Sequence, residues 1–227
     1  MIISSPPVGA RPSEGRAPLV PWIVPWTGEP RILGEVVARP HGLAYTDELL
    51  ADRGSHGELL LRGLGPAPQG DRGKPLFAGI NIRRQRRAMR YLLCQVCGQT
   101  ADRTEAGTLW VIDTLSYNVV CARGPAAGFK EPPICLPCAR TAVKVCPELS
   151  KGYVALRVPQ VRLVGVTGVL CAADPQPHHP GEIRVLDRSA TMPYTDPRLP
   201  WMLVGEIRAE LVGAAPVDLE AELGSAA

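Results

Sequence analysis

Two C-x-x-C pairs constrain this chain more than anything else in it. Cys94 and Cys97 stand in LCQVCGQ, and Cys135 and Cys138 in ICLPCAR. Two such pairs a few dozen residues apart supply four thiolates, the ligand set of a closed tetrahedral zinc site. The i, i+3 spacing suits a tight knuckle that turns two sulfurs toward one metal, and Gly98 directly after the first pair suits that turn. The second pair opens CARTAVKVC, a helix-compatible run whose N-terminal amides and positive dipole end favour thiolate over thiol. Other readings exist: a thioredoxin-like redox pair for a C-x-x-C at a helix start, or buried free thiols. The redox reading leaves the other pair unexplained and the ligand rule favours zinc over buried free thiols, so the four cysteines are expected to hold a structural Zn2+.

Between the pairs, GTLWVIDTLSYNVVCARG reads as a β-hairpin, with strands LWVID and YNVVC and a turn at Asp113 to Ser116. Knuckle, hairpin, then a helix carrying the last two ligands is the order of a treble-clef zinc finger over Leu93 to Cys146. Ahead of it, INIRRQRRAMRYLL, residues 80–93, is a basic amphipathic helix. Ile82, Met89, Leu92 and Leu93 recur near helical spacing, while Arg83, Arg84, Arg86, Arg87 and Arg90 fill the rest of the surface. These five arginines are candidate contacts for DNA or RNA phosphates. They could also stabilise the negative charge of a four-thiolate zinc, or form a solvated face.

A basic helix running into LCQVCG, a hairpin and a C-x-x-C helix resembles the treble-clef core of HNH-type nucleases. The chain as a whole is similar to actinobacterial-type proteins with a central zinc finger, a likeness that names no activity. The HNH resemblance implies a catalytic metal between hairpin and helix, held by histidines, one of which activates water. This sequence has no histidine between Cys97 and Cys138; its four are His41, His56, His178 and His179. Asp113 and Asn118 lie in the expected hairpin without an imidazole base beside them, so nuclease chemistry is not expected.

Around this centre the chain divides into a proline-rich arm (1–30), an antiparallel β segment (31–80), the basic helix and treble clef (81–152) and a C-terminal strand-strand-helix part (153–227). The fold class is α+β. Pro6, Pro7, Pro12, Pro18, Pro21, Pro25 and Pro30 keep the arm extended, and Trp22 and Trp26 are expected to bury their indoles against the body. ILGEVVARP, GLAYTDELL and GELLLRGLG read as short strands between turn signals. GYVALRV and VRLVGVTGVLCA read as two more, broken at Pro159, and LPWMLVGEIRAELVG as a helix with Leu203, Ile207 and Leu211 on one stripe. A short strand or turn near Pro216 and a frayed tail end the chain. Gly73 and Lys74 do not make a phosphate loop, because Pro75 stands where Ser or Thr is needed.

A hydrophobic fraction of 45% supports a buried core, and a net charge of +3 is too small to imply nucleic-acid binding on its own. The N-terminal stretch lacks the basic start and apolar run of a secretory signal, and no segment is long enough for a membrane span, so a cytoplasmic location is expected. Cys121, Cys146 and Cys171 are read as small core residues, with Cys146 a lesser candidate ligand. His178 and His179 read as loop residues, and His41 and His56, each before a glycine, as turn residues. The leading functional expectation is a zinc-dependent nucleic-acid-binding protein. An enzyme with its site between the N-terminal β segment and the C-terminal part, or a protein-interaction scaffold, are the alternatives.

Overall fold

The structure, a computed structural model, describes residues 19–68, 71–124 and 127–225. Residues 1–18 of the expected arm, with Pro6, Pro7, Pro12 and Pro18, lie outside the described residues, as does the end of the expected tail. Among the described residues the architecture is mixed α+β: two four-stranded sheets, a two-stranded ribbon and four helices. The ribbon pairs β1 (Val36–Arg39) with β2 (Gly42–Tyr45) across the Pro40–His41 turn.

The first large sheet is antiparallel, in the order β10 (Ala215–Pro216), β6 (Tyr153–Val158), β5 (Gly107–Asp113), β4 (Arg103–Thr104). β5 carries the centre of the molecule, because both of its faces are buried. Leu109 and Val111 point to one core, shared with Cys94, Val96, Ile134, Ala139 and Ala142. Trp110 and Ile112 point to the other, shared with Val120, Phe129, Leu156 and Val158. The two-residue period of a strand thus lets one segment nucleate two cores. Gly107 sits where β5 begins, at φ +117°, and a Cβ there would lie 2.2 Å from the Val158 carbonyl carbon. Only glycine fits that approach.

In the second sheet the order is β3 (Leu59–Leu60), β9 (Met202–Val212), β7 (Gln160–Ala173), β8 (Ile183–Pro193). β6 and β7 form one nearly continuous run bent at Pro159, so the chain passes directly from one sheet into the other. β9 and β10 make the same passage in reverse through Gly213. A residue that cannot donate to a ladder marks one corner and a flexible residue the other.

Three expectations are corrected here. YNVVC is not a strand: it belongs to α2 (Thr114–Arg123), whose N-cap Asp113 accepts a hydrogen bond from Ser116 N at 2.8 Å. β5 instead pairs with β4 and with β6, which arrives after the cysteine helix. LPWMLVGEIRAELVG is not a helix either. Leu199–Trp201 forms a 3-10 turn and the rest is β9. Finally, β3 runs parallel to β9 rather than antiparallel to the preceding ribbon.

The basic helix forms as expected: α1 (Ile82–Tyr91), capped by the Asn81 side chain accepting from Arg84 N. It lies along β9 and completes its hydrogen bonding. Leu203 and Val204 pair with β3, and Phe129 makes a two-way bridge with Ala209. Between these, the Gln85 amide gives its Nε2 to Ile207 O (2.9 Å) and takes Ile207 N on its Oε1 (3.1 Å). Arg86 donates to Val204 O, Gly205 O and Leu61 O at 3.2, 2.8 and 2.9 Å. Two helical side chains so replace a missing stretch of neighbouring strand, and the buried carbonyls of β9 are satisfied.

The short α4 (Leu219–Ser225) places Leu219 and Leu223 in the core next to the cysteines. Arg157 of β6 fastens it: 1% exposed, it pairs with Glu222 at 2.5 Å and Asp102 at 2.6 Å. Burial alone would lower the Arg157 pKa, but the two carboxylates outweigh it and raise it. No helix among the described residues is long and apolar enough to cross a membrane.

Candidate metal centre

Cys94 follows α1 after two residues. Leu92 ends the helix in the left-handed region at φ 50°, and the chain reverses so that Cys94 N bonds Gln99 O at 2.7 Å and Gly98 N bonds Cys94 O at 2.8 Å. This closes the knuckle. Gly98 takes φ +73°, and the Trp22 ring packs so closely that a Cβ would stand 2.8 Å from it. The arm is fixed to the same turn through Trp22 N to Val96 O (2.9 Å) and Ile23 N to Gln95 O (3.2 Å). Both indoles are half-buried, so the expected burial of Trp22 and Trp26 is partial.

The second pair comes from α3 (Leu136–Val145), with Cys135 as its N-cap and Cys138 in its first turn. The approach segment is laced to the knuckle by Gln95 N to Pro133 O (2.9 Å) and Asp102 N to Ile134 O (3.2 Å), and to β5 by Ile134 N to Leu109 O (3.0 Å). These backbone hydrogen bonds, with the packing of Val96 and Ile134 in one core, set the distance between the two pairs.

The four sulfurs lie within 4.8 Å of one another, and Cys97 Sγ is 3.8 Å from Cys135 Sγ. A tetrahedral site with Zn–S bonds of about 2.3 Å has S···S edges of about 3.8 Å. The donor set therefore fits a tetrahedral metal such as zinc, and carries the soft ligands that zinc or an iron–sulfur centre takes. Cys94 is fully buried, Cys135 and Cys138 are half-buried and Cys97 is exposed.

Electrostatics tell the same story. Burial pushes the Cys94 thiol up to about 11, although backbone N–H groups of Cys97, Cys135 and Val96 aim at its sulfur. Cys138 is raised as well, by burial and then by the Cys135, Cys94 and Cys97 sulfurs around it. Burial also acts on Cys97, but the Gln99 N–H and the neighbouring thiols overcome it and bring it down. Four thiolates so close repel one another, and a divalent metal between them would offset that charge.

The remaining cysteines are apart from this cluster. Cys171 is buried, as expected for a core residue; Cys146 is half-buried at the end of α3; Cys121 is exposed on α2, which corrects the expectation of burial. His41, His178 and His179 are exposed. His56 stacks on Tyr194 with ring centroids 3.8 Å apart, and its backbone N–H donates to the carboxylate of buried Glu58. Composition gave no signal for that stack, since Tyr194 is 138 residues away in sequence.

The five arginines of α1 separate into two sets. Arg84 turns inward to Glu29 (2.5 Å) and Val24 O (3.1 Å), and Arg86 to the three carbonyls of β9 and Leu61. Burial, then Arg90 and Arg83, push Arg86 down to about 10. Arg83, Arg87 and Arg90 are exposed, and no hydrogen bond or ion pair ties them to other described residues. They line an open cleft of about 560 Å³ together with Arg62, Arg86 and Tyr91.

Fold and site define a mixed α+β protein with a four-cysteine cluster shaped to bind a metal ion. Comparison with protein-family models, with curated proteins and with solved structures returns no match.

Proposed function

We propose that Cys94, Cys97, Cys135 and Cys138 hold one structural zinc ion in a variant treble clef, and that this module supports a nucleic-acid-binding face on α1. The knuckle, the β4–β5 hairpin and α3 follow in treble-clef order, with α2 inserted before the second pair. The likeness to HNH-type cores rests on that order alone. Zinc would tie the end of α1 to the start of α3, because Cys94 lies two residues beyond the C-cap Leu92.

The observation that carries the functional reading is the set Arg83, Arg87 and Arg90. They recur at i, i+4 and i+7, so they share one helical face, and they are the α1 arginines left without an internal partner among the described residues. Uncompensated guanidinium groups in a row bind phosphates and release counterions. An enzyme reading would draw on His56, Glu58 and Tyr194, but the α1 cleft and the smaller one beside Arg103 are lined by none of them.

Titrating labelled nucleic acid with the zinc-loaded protein at several salt concentrations tests this. Three neutralised phosphates give a log–log slope of about −2 to −3. The charge-reversal variant Arg83→Glu/Arg87→Glu should abolish binding while zinc content is unchanged. Salt-independent binding, or binding unaffected by that variant, would exclude the face.

A further inference from the structure

The α1 cleft is more than a row of charges. Its floor includes buried Leu60 and half-buried Leu61, and its rim carries Leu49, 64% exposed, and Tyr91, 69% exposed. Its acidic lining residue, Asp52, is already neutralised by Arg62 at 2.8 Å. A bare polyphosphate would make no use of an exposed phenol ring and apolar rim. A duplex would not either, since it turns phosphates outward and hides its base faces in the stack. Phosphates next to an available aromatic face are the chemistry of unpaired nucleotides.

The length of the charged row favours a strand over a single nucleotide. From Arg83 to Arg90 the helix rises about 10 Å, too far for one phosphate group to engage both ends. Tyr91 stands immediately beyond Arg90, so a base leaving the last phosphate meets its ring.

Resting on the nucleic-acid reading above, we infer that the cleft binds a single strand, with Arg83, Arg87 and Arg90 on successive phosphates and Tyr91 stacked on an unpaired base. Stacking tolerates any base, so the site discriminates strandedness more than sequence.

The test is fluorescence anisotropy with the full-length, zinc-loaded chain. The probes are a labelled single strand of about 12 nucleotides, as DNA and as RNA, the blunt duplex of the same sequence, and a mononucleotide as competitor. The strand should bind at least about tenfold more tightly than the duplex, and the mononucleotide should compete only weakly. Tyr91→Ala should weaken strand binding about tenfold, Tyr91→Phe should retain it, and neither should change zinc content or duplex affinity. Equal affinity for strand and duplex, or an unchanged strand affinity in Tyr91→Ala, overturns the single-strand inference while duplex binding lost on Arg87→Glu would keep the broader reading. Binding to none of the probes removes both.

Discussion

Arg86 and Arg87 are neighbours on one helix with opposite tasks. Arg86 reaches under α1 to three backbone carbonyls, whereas Arg87 faces the cleft with no partner among the described residues. Removing Arg86 strands buried acceptors, so Arg86→Ala should cost about 3 kcal/mol and lower Tm by roughly 6–12 °C. Arg87→Ala should stay within about 0.5 kcal/mol of the parent and lose only ligand affinity. Urea unfolding of the two variants side by side checks this; equal losses would mean that Arg86 is not built into the fold. From the sequence the five arginines look alike, because helical periodicity assigns a face but cannot reveal that β9 lacks a neighbouring strand there. The cysteines were legible for the opposite reason: their chemistry and spacing specify a ligand set regardless of the elements that bring them together.

At the scale of elements, the errors of a sequence reading have specific physical causes. Leu203, Ile207 and Leu211 recur every four residues, a spacing that satisfies the helical repeat and the strand repeat alike. Ala209, buried between them, and the half-buried Glu206, Arg208 and Glu210 on the opposite face show that period two governs. In α2, Val119 and Val120 favour a strand, but the Asp113 cap at 2.8 Å starts a helix just after β5. β8 was illegible as a strand because it is an edge whose residues are largely exposed, with Ala190 and Met192 its buried side chains. β6 and β7 were legible from their runs of β-branched residues between turn signals, and α1 from its helical period. The fastening of α4 to β6 has a pH signature. Arg157 beside Glu222 holds that carboxyl below its usual 4.5. A depressed carboxylate pKa stabilises the fold above about pH 4.5, and that contribution disappears as the pH falls through the lowered value. Unfolding free energies measured from pH 7 to pH 3 should therefore fall more steeply for the parent than for Glu222→Gln. Parallel profiles would show that the pair contributes nothing. At the start of β5, Gly107→Ala should destabilise by about 2 kcal/mol or more, since its Cβ has no room beside Val158.

On the scale of the whole molecule, the four-cysteine cluster is the junction at which α1, the arm, β5, α3 and α4 meet. Cys94, Leu109, Ala139, Leu219 and Leu223 share one core with the sulfurs at its edge. Small residues, Ala139, Ala142 and Ala155, sit in that core beside the larger Leu109, Ile134, Leu219 and Leu223. A metal that cross-links positions 94 and 135 contributes folding free energy directly. Losing one ligand, as in Cys94→Ser, should lower Tm by about 10 °C or more, and the cleft on α1 should lose its ligand with the knuckle that anchors it. The most direct measurement is metal analysis of the purified full chain together with its melting curve before and after a strong chelator. One zinc per chain, absent in Cys94→Ser and Cys138→Ser, with a melting transition that falls sharply when the metal is withdrawn, is the predicted result. A chain without stoichiometric metal, or one whose melting is the same with and without chelator, would contradict it.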